Sequence, residues 1–216
     1  MPARQFMVPF VHPILSLLLT IGGLILIADP AQAGCGDPPG PSVDWRRCRL
    51  DTRDLSGANL AGAVLRDASL QQAQLAGATL TGIDAASARF VFGDLSGADL
   101  TNAILRNAEL TRAVLRGAKL QQADLRDATL YRADLREADL AGAMLQEANL
   151  TGAVLRGAKL QRADLRGARL SRADLRETDL TGADLAGADL ANAMLEGARW
   201  TDGTRVCAAG SVGTCQ

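Results

Sequence analysis

Residues 111–150 read TRAVLRGAKL QQADLRDATL YRADLREADL AGAMLQEANL, with a leucine at every fifth position. The lattice extends both ways, from Leu50 to Leu195 and on to Trp200; of its 31 positions 28 are Leu, and the exceptions are Ala85, Phe90 and Trp200. Two residues ahead of it runs a second lattice in which 26 of 31 positions are Ala, the exceptions being Cys48, Arg53, Ile83, Gly93 and Thr178. A period of five suits neither regular element. On an α-helix, residues five apart rotate by about 140° per step and build no single apolar stripe. On a continuous strand, side chains alternate faces with period two, so successive leucines would point to opposite sides. The pattern works if the chain turns a corner in every unit. The Ala and Leu then point inward from one short face, the residue between them points out, and the next two make the corner. Such faces wind into a solenoid whose stacked coils share one core.

The units Ala58-Asn59-Leu60, Ala98-Asp99-Leu100, Ala123-Asp124-Leu125, Ala148-Asn149-Leu150 and Ala183-Asp184-Leu185 resemble the A-(D/N)-L-x-x unit of the pentapeptide-repeat family. The resemblance covers residues 48 to 202. It implies an all-β fold, a right-handed quadrilateral parallel β-helix of four units per coil. That gives about eight coils and a rod roughly 37 Å long at a stacking distance of about 4.8 Å. Residues 111–150 and 151–190 agree at 29 of 40 positions, which supports a twenty-residue coil and suggests duplication.

The flanks read differently. Arg4, the apolar run Ile14–Ala28, the break at Asp29-Pro30 and Ala31-Gln32-Ala33 read as a secretory leader over residues 1–33, expected to be cleaved after Ala33, the alternative being a retained membrane anchor. Residues 34–47 are expected to form an N-terminal cap, 48–202 the β-helix, and 203–216 a C-terminal cap. Cysteines stand only at the ends: Cys35 and Cys48, then Cys207 and Cys215. Bridged Cα atoms must lie within about 7 Å, and the rod holds the two pairs apart. The expected disulfides are therefore Cys35–Cys48 and Cys207–Cys215, as an oxidising compartment allows. Trp45 and Trp200 are expected to cover the coil ends, where a solenoid exposes unpaired backbone and apolar core.

Little in the rod suggests chemistry. The single histidine, His12, lies in the leader, so a histidine base or triad has no candidate. Carboxylates recur on the outside, but a catalytic pair needs a cleft that shifts its pKa, and a smooth rod offers none. No catalytic, cofactor or metal residue is expected. Sorted in a twenty-residue register, one face carries Arg116, Arg136, Arg156 and Arg176. The opposite face carries Arg66, Arg106, Arg126 and Arg166. A third alternates in sign through Asp99, Lys119, Asp139, Lys159, Asp179 and Arg199. The arginine ladders are candidate anion-binding stripes; the plainer reading is a solvated, ion-paired surface with Asp134, Glu137, Asp174 and Glu177 as counter-charges. Phe92, at an outward position beside Val91, makes a small apolar patch.

The sequence thus points to a non-enzymatic exported scaffold that presents flat charged ladders to an envelope protein or an anionic polymer. It is expected to be monomeric, with no membrane span once the leader is removed. Nucleic acid is disfavoured, because few aromatics interleave with the arginines. The resemblance also offers an alternative, since some members mimic DNA and bind DNA gyrase, protecting against quinolones. That role needs an acidic surface and a cytoplasmic address, whereas this chain has 23 basic and 24 acidic residues and reads as exported. An exported hydrolase ranks last.

Overall fold

The computed structural model describes residues 34–216; the leader reading falls on residues outside these. The chain forms a β-helix solenoid whose coils pair by single-residue parallel bridges, each between a residue and the one twenty further on. The ladder runs from Asp44↔Val64 to Asp179↔Arg199.

One unit shows why the backbone accepts this path. Asp124 bridges Ile104 on one side and Met144 on the other. Its N–H donates to the Ala103 carbonyl at 2.9 Å, and Leu125 N–H donates to Met144 at 2.7 Å. Asp127 N–H reaches Gln146 at 3.0 Å, and Ala128 N–H closes the turn onto Leu125 at 3.1 Å. The remaining donor, Arg126 N–H, is taken by the Asp124 carboxylate at 3.4 Å. Every N–H of the unit has an acceptor, as burial against a neighbouring coil requires. The last of these bonds gives the Asp or Asn before each leucine its purpose: its side chain caps a donor that the ladder leaves over, an Asx-type turn. The same bond recurs from Ala61 to Asn59, Thr101 to Asp99, Thr151 to Asn149 and Ala191 to Asp189.

The second corner residue has positive φ, 59° at Asp127 and 67° at Gly152. Glycine suits Gly152 twice over, because a Cβ there would also sit 3.4 Å from Cγ of Arg132 one coil below.

Both lattices point inward. The leucines from Leu50 to Leu180 and the alanines from Ala63 to Ala173 are buried in one continuous cluster. The exceptions are compensated. Where a unit ordinarily reads Ala-x-Leu, Ile83-Asp84-Ala85 exchanges large for small across one face. Phe90, buried, is followed by Gly93, where a Cβ would stand 3.1 Å from the Phe90 carbonyl oxygen. Volume is conserved locally, the kind of core change that packing tolerates. Thr178 satisfies its buried hydroxyl on the Leu175 carbonyl at 2.7 Å.

At the N-terminal end the ladder begins one unit earlier than the cap boundary at 47 implies. Asp44 already bridges Val64, and Trp45 fills the leucine position, fully buried. Cys48 and Arg53, which break the alanine lattice, belong to this end. Cys48 is bonded to Cys35, with Cα atoms 5.4 Å apart. The Arg53 guanidinium lies 6.0 Å from the Trp45 ring centre and donates to the Cys35 carbonyl at 3.3 Å.

The C-terminal end closes differently. After Trp200 the chain reverses, and Val206 and Val212 pair antiparallel with Arg199 and Met194. The Cys207–Cys215 disulfide, with Cα atoms 4.8 Å apart, ties this return. It covers only two faces. On the others Leu185 and Leu190 are only partly buried, and the N–H groups of Leu185, Gly187, Leu190 and Asn192 have no backbone acceptor among the described residues.

Candidate functional site

Because Leu and Ala are committed to the core, recognition must use the three outward positions of each unit. All eight ladder arginines lie on this surface, and each meets a carboxylate. On the first face, Asp134 is shared by Arg116 at 2.6 Å and Arg136 at 2.7 Å, from different coils. Arg156 pairs with Glu177 at 2.7 Å, and Arg176 with Asp174 at 2.6 Å. On the opposite face Arg66 pairs with Asp84 at 2.6 Å, and Arg166 with Asp164 at 2.6 Å. There Asp124 accepts from both Arg106 and Arg126. Hydrogen bonds from Arg126, then from Arg106, outweigh burial and hold the Asp124 carboxyl down to about 2, from an ordinary 3.8. The Arg176 guanidinium likewise lowers Asp174 against its desolvation. Third in order, the mixed ladder pairs Lys119 with Asp99 and Lys159 with Asp139, each at 3.7 Å.

Asp134 and Asp124 explain why the arginine columns coexist at coil spacing. Each carboxylate sits on the bridging position and reaches one arginine two residues on and another eighteen residues back. A shallow depression on the first of these ladders is lined by Arg136, Glu137, Arg156, Gly157 and Glu177. Among the described residues, no group of three or more His, Cys, Asp or Glu is placed to hold a metal ion. No helix among them is long and apolar enough to cross a membrane.

The structure also shows a feature that sorting by face overlooked. The ladder arginines occupy the first residue of each corner, not a flat face as the sequence register suggested, because the two residues after each leucine form the turn; Arg112 and Arg132 stand on the second corner residue, in a column of their own. Arg112 lies 5.6 Å from the centre of the Phe92 ring, and Arg132 lies 5.2 Å from that of Tyr131. Phe92 is 50% exposed. The register could have revealed this column: 92, 112 and 132 are successive multiples of twenty apart, as the core lattice already required.

The family model for pentapeptide repeats matches eight copies, over residues 46–85, 94–130, 133–172 and 168–199. These spans take up more than half of the chain.

The chain belongs to the pentapeptide repeat family.

Among solved pentapeptide repeat proteins, HetL of the cyanobacterium Nostoc, involved in heterocyst differentiation regulation, is 31% identical. The alignment covers 80% of this chain and 95% of that one, with a TM-score of 0.30. A pentapeptide repeat protein of the Arabidopsis thaliana thylakoid lumen is 28% identical over 56% of this chain and 71% of its own, TM-score 0.30. QnrB1, a plasmid-mediated fluoroquinolone resistance protein, is 19% identical over 74% of this chain and 81% of its own, TM-score 0.38. No curated protein matches the chain. Membership in the pentapeptide repeat family explains the core lattices and the outward Asp or Asn between them; the fold alone does not assign a function.

Proposed function

We propose that this pentapeptide repeat protein is an exported, non-enzymatic scaffold that presents its charged faces to an envelope protein or an anionic polymer. We read its solenoid as a right-handed quadrilateral coil of about eight turns, with four bridged positions in every twenty residues. The observation that carries the functional reading is the placement of charge. The outward carboxylates and arginines neutralise one another coil by coil along a fixed core, and each is displayed outward. Such a surface recognises by shape and charge register, without a reacting centre. The two disulfides support an oxidising destination, as does the leader read in residues 1–33. The QnrB1 likeness concerns fold, and the near balance of charge gives no support to DNA mimicry.

Fractionation of a native host, followed by N-terminal sequencing of the recovered chain, tests the reading. The expected result is a chain beginning at Gly34 in the envelope fraction. A chain retaining Met1 in the cytosol would overturn export and return the gyrase-binding alternative to first place.

A further inference from the structure

Unpaired charge is segregated along this rod. Follow the chain across the face that bears Glu109, Thr129 and Asn149 in successive coils. The corner before that face carries the exposed Asp127 and Glu147; the corner after it carries the exposed Arg112, Arg132 and Arg172. The neighbouring ion pairs are Arg89–Glu109, Arg126–Asp124 and Arg136–Asp134. They leave Asp127, Glu147, Arg112 and Arg132 with no ion-pair partner among the described residues. The two arginines are braced against the Phe92 and Tyr131 rings instead, with no carboxylate taking up their N–H donors. One long edge thus carries unpaired acid at Asp127 and Glu147, beside the paired Arg106 and Arg126, and the adjacent edge carries unpaired base at Arg112 and Arg132, the two charges on each edge standing twenty residues apart.

We propose that this face, centred on Thr129 and Asn149, is the contact of a two-fold dimer of parallel rods, in place of the monomer expected from the sequence. A two-fold axis running along the rods, between two facing copies, exchanges left and right and leaves height unchanged. The basic edge of each copy then meets the acidic edge of the other. Arg112 and Asp127 are three quarters of a coil apart in the chain, so they differ in height by about 3.6 Å at the usual strand spacing. Arg132 and Glu147 have the same offset, so both pairs engage together. Symmetry makes four intermolecular pairs in all. The antiparallel arrangement sets like edges against each other and is repelled.

The common pitch selects a second copy as the occupant, because another rod repeats complementary charges at this same coil spacing on a straight edge. Residues on the axis face their own copies. Thr129 and Asn149 are uncharged, and Glu109 is neutralised by Arg89 at 3.1 Å. Arg169 would face itself one coil beyond Asn149, which bounds the contact there. An isologous contact of this kind closes and does not propagate into a filament. Exposed pairs are screened by salt, so the dimer is weak and dissociates as ionic strength rises.

Sedimentation of the purified chain tests this. Dimer is expected at about 0.01 M ionic strength and monomer at about 1 M. Two reversed variants are decisive: Arg112→Glu with Arg132→Glu, and Asp127→Lys with Glu147→Lys. Each alone is expected to stay monomeric at low salt, with an unchanged melting temperature. Mixed one to one, they are expected to form a heterodimer, since both edges are again complementary. A wild-type monomer at low salt overturns the proposal, as does a reversed variant that still dimerises or a mixture that does not pair. If that monomer is retained on immobilised polyglutamate through Arg112 and Arg132, the basic edge is a polyanion site instead.

Discussion

Asp124 shows how much a single outward residue does in this fold. It bridges two coils, caps the Arg126 N–H and holds two guanidiniums. Replacing it with alanine removes charge-assisted bonds whose loss costs about 2 kcal/mol; chemical denaturation of Asp124→Ala should show a lower midpoint at unchanged slope. Its depressed pKa also fixes the sign of an acid effect. The folded carboxyl titrates near 2 and the free group near 3.8, so its contribution is present above pH 3.8 and is lost as pH falls towards 2. Thermal melts from pH 5 to about 2 should therefore descend in that window, and Asp124→Ala should descend less steeply. Inward positions behave oppositely. Ala123→Asp buries a carboxylate among leucines without a partner, and a melting temperature equal to that of the wild type would refute the inward assignment. Gly93→Ala pushes a Cβ against the Phe90 carbonyl and should cost about 1–3 kcal/mol, read by the same denaturation.

At the scale of elements, core and ends were legible in the sequence to different degrees. The period of five told which residues turn inward, because only burial selects Leu and Ala so strictly. The cysteine pairs could be assigned because the rod keeps its ends apart. The use of the Asp and Asn positions was not legible, since the N–H that they cap becomes a leftover only when the bridges are counted. The counter-charges Asp134, Asp174 and Glu177 were legible, but not which arginine each takes: Arg116 reaches Asp134, eighteen residues on, whereas Arg156 reaches Glu177, twenty-one residues on. Side-chain reach, not register, makes that choice. The antiparallel closure by Val206 and Val212 also lacked a signal, because two isolated valines in a Gly-rich tail show no alternation. That closure leaves two faces of the last coil open. Hydrogen exchange should be fastest at Leu185, Gly187, Leu190 and Asn192 and slowest in the central coils. Reducing the disulfides should accelerate exchange at both ends before the middle; uniform acceleration would show that they do not act as staples.

For the whole molecule, function follows from rigidity. Pairing at twenty residues holds side chains in straight columns, and the columns define faces of alternating charge, paired arginines and unpaired edges. The proposed scaffolding, partner recognition and dimer all depend on that alignment. The columns are tested most directly by measuring distances along one of them. Thr52, Gln72 and Asn192 occupy the same corner column, with 52–192 spanning seven coils and 72–192 six. Spin labels carried on non-cysteine residues at these positions, which leave the disulfides intact, can be read by double electron–electron resonance. Narrow distributions are predicted near 34 Å and 29 Å, a step of about 4.8 Å for each twenty residues removed. Broad distributions, or a separation that does not change by one coil height, would contradict the account.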